Sequence, residues 1–316
     1  MTVVVVTGAS SGVGRATALA FAAQGADLVL SSRSEVSLRA VEQECKVAGA
    51  DTVVAVADVL DEDAVEAVAS AAVSRFGRVD VWVHSAAVVA YGRFEDVPAD
   101  VFRHVVDTGI HGAASVARVA LRRFRQQGDG TLIFIGSLLG EIAIPYMSSY
   151  VTSKWALRGL ARVLRVETRD APGIHVCVVS PGGVDTPVYL QAANYAGRVG
   201  RPPPPIDSPD KVARAVLRCA RRPRARTNVG AANGVVWLGF TALPGTYDAL
   251  VTPLMRLGGL SRRRIAPHQG NVFAPQPAGE AVYGRWGRHW LRPVGLVSAA
   301  GAAAGAVAVA VRRAGC

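Results

Sequence analysis

With 316 residues, 50% of them hydrophobic, the chain has material for one large α/β domain plus an extension. Its four cysteines (Cys45, Cys177, Cys219 and Cys316) are far apart and show no paired metal-ligand spacing. That speaks against a disulfide framework or a zinc site and fits a reducing compartment. The net charge of +11 is uneven: residues 1–200 carry 18 Lys and Arg against 20 Asp and Glu, and residues 201–316 carry 17 against 4. Nucleic acid, an anionic membrane surface or plain solubility could each account for a basic last third.

The chain opens on Val3-Val4-Val5-Val6, a β-branched run that reads as a strand covered on both faces. Thr7, Gly8, Ser10, Ser11, Gly12, Val13 and Gly14 follow in one turn, which leads into a helix bearing apolar Val13, Ala16, Leu19 and Ala20. The glycines let the backbone turn tightly and come close to a ligand. The helix would aim its positive N-terminal end and unpaired N–H groups at that ligand, an arrangement that suits a dinucleotide pyrophosphate. No basic leader precedes the strand, so the expected location is cytoplasmic.

Short Val- and Ile-rich strands are expected next at 27–31, 53–57, 80–84, 131–135 and 174–179, alternating with helices over 35–48, 61–76, 99–125 and 150–170. Gly25, Gly49, Gly77 and Gly128–Gly130 fall at helix ends, where a left-handed cap is needed. The alternation predicts a doubly wound parallel sheet of Rossmann type over residues 1–228. From 187 to 209 the pattern lapses into a loop containing Pro202–Pro205, a candidate lid or substrate-recognition segment. A helix over 209–221 and a basic cluster (Arg221, Arg222, Arg224, Arg226) come after it. Residues 229–316 form a basic, partly apolar extension that carries Arg262-Arg263-Arg264.

Chemistry concentrates in three places. Tyr150 and Lys154, four apart, share one face of a helix, where an ammonium near a phenol favours phenolate and makes Tyr150 a candidate proton donor or acceptor. Ser137 follows the strand at 131–135, at the sheet edge where α/β proteins bind ligands. Pro181-Gly182-Gly183-Val184-Asp185-Thr186 follows the strand at 174–179 in the same way.

In these motifs, with Asp58-Val59 after the third strand, residues 1–225 resemble a short-chain dehydrogenase/reductase. The resemblance implies that Tyr150 protonates a carbonyl during reduction, or acts as base in reverse. It implies that Lys154 lowers the Tyr150 pKa and bonds the nicotinamide ribose, and that Ser137 holds the substrate oxygen. Gly8, Gly12 and Gly14 would line the pyrophosphate, Asp58 the adenine edge, and Thr186 the carboxamide, with Val59, Ser85, Ala86, Pro181, Gly182 and Val184 around them. A helix cap for Asp58 and a plain loop hydroxyl for Thr186 remain open. The family also implies a homo-oligomer, a dimer or tetramer, packed through the helices of 99–125 and 150–170.

Cofactor choice rests on the end of the second strand, where Ser32 and Arg33 stand and no carboxylate does. A hydroxyl and a guanidinium suit a 2′-phosphate, so NADP(H) is expected over NAD, with relaxed specificity as the alternative. Two departures from the family stand out. His84-Ser85-Ala86-Ala87 replaces the usual Asn-Asn-Ala-Gly, with His84 expected as a packed histidine, and Gly109 replaces a catalytic Asn whose backbone carbonyl a glycine retains. His111 is expected to face elsewhere.

The charge-free segment 294–311, bracketed by Arg288, Arg292, Arg312 and Arg313 and preceded by Trp286 and Trp290, is a candidate membrane-associated helix. A soluble Ala-rich helix or a disordered tail is the alternative. Nucleic-acid binding is not expected, because the arginines are interleaved with apolar residues and no recognition module is visible. The sequence thus predicts an NADP(H)-dependent oxidoreductase that interconverts an alcohol and a ketone or aldehyde, with an apolar substrate. A cofactor-binding sensor or scaffold of weak activity is the rival.

Overall fold

A computed structural model describes residues 1–287. The segment 294–311, with Arg288, Trp290, Arg292, Arg312, Arg313 and Cys316, lies outside the described residues.

The first half alternates as its apolar pattern demands: β1 (Val3–Thr7), α1 (Gly12–Ala22), β2 (Asp27–Ser32), α2 (Glu35–Val47), β3 (Thr52–Val56), α3 (Glu62–Phe76) and β4 (Val81–His84). After a short β5 (Ala90–Tyr91) come α4 (Ala99–Val106), α5 (Gly112–Gln127), β6 (Gly130–Ile135), α6 (Ser148–Glu167) and β7 (Ile174–Pro181). The remainder is α7 (Val188–Gln191), β8 (Ala193–Asn194), β9 (Arg198–Gly200), α8 (Pro209–Arg221), β10 (Arg226–Val229), α9 (Asn233–Ala242), α10 (Pro244–Leu254) and β11 (Leu260–Arg264).

Seven strands pair in parallel in the order β10-β7-β6-β4-β1-β2-β3, the doubly wound arrangement the sequence implies. Alternation in β1 divides the core. Val3 and Val5 join Trp82, Leu132 and Phe134 under α3, α5 and α6, while Val4 and Val6 join Leu28, Leu30 and Ile133 under α1, α2 and α8. Each fully buried valine or leucine contributes about 1.5–3 kcal/mol, which is why an uninterrupted apolar run is held between two layers.

Local chemistry sets the helix starts. Ser34 accepts from the Ser37 N–H, Asp61 from the Asp63 and Ala64 N–H groups, and Ser208 from the Lys211 N–H ahead of Pro209. Gly77 and Gly128 end α3 and α5 with φ of 82° and 89°, the left-handed caps expected of them.

The structure adds detail at three places. The helical stretch expected over 99–125 runs unbroken from Ala99 to Gln127, with a π-turn at Asp107–His111 that contains Gly109 between α4 and α5. The loop 187–209 holds α7, β8 and β9, with β8 pairing β5 and β9 pairing β11. The basic cluster at 221–226 runs into the seventh strand, β10, which lies at the sheet edge and therefore tolerates polar side chains. Arg226 of β10 pairs with the buried carboxylate of Glu141.

Candidate active site

One cleft of about 2040 Å³ opens at the carboxyl ends of β1, β2, β4, β6 and β7, the edge where open α/β sheets bind ligands. Of the expected cofactor and catalytic residues, all line it except Thr7 and Gly14, which lie one layer behind. The Thr7 hydroxyl donates to the Val83 carbonyl at 3.3 Å and shares a 3.0 Å hydrogen bond with His84 Nδ1. Gly14 supports the turn, because a Cβ there would stand 1.9 Å from the Gly8 carbonyl oxygen.

The turn itself is built for backbone approach. Gly8 has φ of 82°, and a side chain on it would strike the Ser85–Ala86 backbone at 2.5 Å. Gly12 faces Thr186, whose Cβ lies 3.2 Å from where a side chain would begin. Ser11 caps α1 without a side-chain hydrogen bond, and the Ser31 hydroxyl is buried at the cleft wall with no partner among the described residues. This glycine cradle over a helix N-terminus, with the unpaired Ser31 hydroxyl on the same cleft wall, fits a dinucleotide. Asp58 accepts from the Leu60 N–H at 3.0 Å at the cleft rim, while the α3 cap is Asp61.

At the other end Ser137, Tyr150 and Lys154 line the same wall. Ser137 caps a short 3-10 turn after β6, accepting from the Leu139 N–H at 3.1 Å. Lys154 donates from Nζ to the Ile135 carbonyl at 2.9 Å and lies 5.4 Å from the Tyr150 ring centre. Burial pulls the Lys154 ammonium down to about 8 and pushes the Tyr150 hydroxyl up to about 12, the Ser137 hydroxyl pulling the latter back down. Burial of the phenolate thus opposes the lowering of Tyr150 expected from Lys154. His84 is held neutral, pushed down to about 3 by burial and by Lys154, and it packs edge-on against Phe134.

Gly109 lies in the π-turn against α6, where a Cβ would come within 2.6 Å of Ser153 Cβ and Oγ. His111 is exposed, bonded to Asp107 at 2.9 Å, and is absent from the cleft.

The extension is part of the site, which the sequence did not indicate. Residues of α9, α10 and the π-turn after them (Met255–Gly259) supply much of the apolar lining of the same cleft. The segment 270–286 then crosses the cofactor end. Arg33 donates to the carbonyls of Asn271, Val272 and Phe273 at 2.7, 3.0 and 3.4 Å, and the Gly12 N–H donates to the Ala281 carbonyl at 2.8 Å. Asp185 accepts from the Gly284 and Trp286 N–H groups at 3.1 and 2.8 Å. Asn271 and Glu280 line the cleft with side-chain oxygens that have no partner among the described residues.

Comparison with known proteins agrees with this geometry. The chain is 32% identical over 275 residues to the uncharacterized oxidoreductase YxnA of Bacillus subtilis, covering 86% of this chain and 77% of that one. It is 33% identical over 239 residues to the probable oxidoreductase EphD of Mycobacterium tuberculosis, covering 70% of this chain and 40% of that longer protein. The fold matches an alcohol dehydrogenase from Thermococcus sibiricus complexed with 5-hydroxy-NADP (TM-score 0.62, 29% identity, 72% of this chain and 95% of that one). It also matches a short chain dehydrogenase from Mycobacterium paratuberculosis bound to NAD (TM-score 0.64, 26% identity, 72% and 96%). Residues 2–194 match the family model described as short chain dehydrogenase, and with that match the chain belongs to the short-chain dehydrogenase/reductase family, oxidoreductases on a fold that binds a nicotinamide cofactor.

Proposed function

We propose that the protein interconverts an alcohol and a ketone or aldehyde on an apolar substrate, with NADP(H) as its redox partner. The observation that carries this reading is the convergence of Ser137, Tyr150 and Lys154 on one cleft whose lining is largely apolar. Hydride exchange is the chemistry that a nicotinamide dinucleotide supplies in such a cleft. The chain's own residues handle the proton and the oxygen. The Tyr150 O–H, kept protonated by burial, donates to the developing alkoxide, and the Ser137 hydroxyl holds that oxygen in place. Lys154, held by the Ile135 carbonyl, sets a positive charge beside the phenol as it loses its proton.

NADP(H) is supported by Ser32 and Arg33 at the end of β2, both on the cleft wall. Three of the five Arg33 N–H donors are occupied by the carbonyls of 271–273, which fix the guanidinium and leave two for a phosphate. One observation favours the other cofactor: Glu280 brings to the cleft the carboxylate that β2 lacks. A homo-oligomer is proposed through α4–α5 and α6, where Val163 and Val166 are exposed.

The test is NADPH oxidation against a panel of apolar ketones and aldehydes, with Tyr150→Phe as the blank. Turnover lost in Tyr150→Phe, with NADPH affinity kept, is the expected result. Turnover that survives the substitution removes Tyr150 from the chemistry. Tight NADPH binding without turnover across the panel favours the sensor reading.

A further inference from the structure

Helices α9 and α10 are out of place on a water-soluble surface. Together they carry one charged residue, Asp248, yet α10 buries none of its 11 residues and α9 buries only Asn233. Val235 is 65% exposed, Leu254 61% and Leu257, in the π-turn that follows, 74%, all three also lining the cleft, while Trp237, outside the cleft lining, faces solvent as well. Scattered apolar residues on a surface are ordinary, but a contiguous patch of this kind marks an interaction site.

The same chain segment leads straight into β11, which pairs antiparallel with β9. Arg262, Arg263 and Arg264 of β11 and Arg198 of β9 are all exposed, and Arg264 sits directly opposite Arg198 in the pairing register. Like charges placed opposite each other destabilise a ribbon unless something neutralises them. From 231 to 287 the chain offers only Asp248 and Glu280 against five arginines, and Glu280 faces the cleft.

We propose that α9, α10 and the β9–β11 ribbon form one docking surface for an anionic lipid bilayer. The apolar helices would lie in the interface plane and the arginines against the headgroups, the arrangement of an in-plane amphipathic anchor. A second copy of the chain fits less well, because it brings the same arginines and no acids to meet them. Nucleic acid fits less well, because it gives the apolar helices nothing to bury against. The consequence for the cleft follows from geometry. Val235, Leu250, Leu254 and Leu257 are exposed and also line the cleft that holds Tyr150, so an apolar molecule would pass from the bilayer to the cleft along one apolar surface. That last step rests on the proposed alcohol–carbonyl activity, whereas the docking does not.

The test uses the full chain and two kinds of vesicle, phosphatidylcholine alone and phosphatidylcholine with phosphatidylserine. Sedimentation with the anionic vesicles is expected. The triple variant Arg262→Gln, Arg263→Gln, Arg264→Gln should weaken it about 100-fold, from roughly 1 kcal/mol per arginine near such a surface. Tryptophan quenching by brominated acyl chains should drop in Trp237→Phe. Binding that is unchanged in the triple variant, with quenching unchanged in Trp237→Phe, overturns the proposal and places attachment in residues 288–316. Absence of vesicle binding overturns it too, with sedimentation velocity or a nucleic-acid shift revealing which other partner takes the face. No readout requires turnover, so failure here is distinct from failure of the enzymatic reading. Unchanged circular dichroism shows that the variants fold.

Discussion

A methyl group added at Gly109 tests the reasoning about the departure from the family. Gly109→Ala would normally stabilise a helix by about 1 kcal/mol, because alanine gives up less backbone entropy than glycine. Here the new Cβ lands 2.6 Å from both Cβ and Oγ of Ser153. Ser153 is 1% exposed, and its hydroxyl donates to the Tyr150 carbonyl at 2.9 Å, so it has no room to turn aside. Overpacking of this kind costs about 1–3 kcal/mol, giving a net loss of about 0–2 kcal/mol and a fall in Tm of a few degrees. Urea unfolding of wild type, Gly109→Ala, Ser153→Gly and the double variant measures it. The double variant should recover most of the loss, since removing the Ser153 side chain clears the space, and the coupling should exceed about 0.5 kcal/mol. A Gly109→Ala protein more stable than wild type by about 1 kcal/mol, with additive effects, would refute the close-contact argument. The same contact predicts that Gly109→Asn, which restores the family's usual residue, lowers stability and does not raise turnover.

Arg33→Ala should raise KM for NADPH about 10- to 100-fold, the worth of a charge-assisted hydrogen bond of roughly 1.5–3 kcal/mol, while changing KM for NADH much less. Equal losses with both would assign Arg33 to fastening 271–273 alone. Glu280→Gln should act in the opposite sense, weakening NADH and sparing or improving NADPH, and a null effect on both would remove Glu280 from cofactor choice. Lys154 titrates at about 8 when folded against about 10.4 unfolded, so between those values the unfolded chain binds more protons and stability rises with pH. Over that window the gain is up to about 3 kcal/mol, measured below about pH 10 so that Tyr150 does not intervene, and Lys154→Met should flatten it. Parallel pH slopes in the two proteins would contradict the burial argument. His84, held neutral down to about 3, should leave no step in the pH–rate profile between about 5 and 8, so His84→Gln should not alter its shape.

The sheet was legible because its strands are buried on both faces, and burial on both faces writes itself as runs such as Val3–Val6 and Leu132–Ile135. The edge strand β10 was not, because Arg226-Thr227-Asn228 takes its stability from backbone bonds to β7 and leaves its side chains half in water. Tyr150, Lys154 and Ser137 could be placed from spacing, since a four-residue step fixes one helix face and a strand end fixes the sheet edge, but the pair alone was weak and the roles came from the family resemblance. Their electrostatics were not, because the balance between the pull of Lys154 and the cost of burying a phenolate depends on how much protein surrounds Tyr150, a quantity with no local sequence signal. Gly109 read as a lost side chain, while the cause of the loss, contact with Ser153 some forty positions on, exists only once α6 is packed.

The extension was read as an appendage for a related reason. Its ties to the cofactor end are made through main-chain atoms: carbonyls of 271–273 and Ala281 accept from Arg33 and Gly12, and N–H groups of Gly284 and Trp286 donate to Asp185. Every residue type but proline carries both groups, so no composition or periodicity announces such contacts. What can be read in advance is the other end of each bond: an arginine, a glycine and an aspartate placed around a dinucleotide cradle. Because Gly12 and Arg33 are the groups expected to meet pyrophosphate and 2′-phosphate, cofactor and extension would meet at the same two residues. On that proposed binding, affinity for one would depend on the seating of the other, by the reciprocity that governs any two occupants of linked sites.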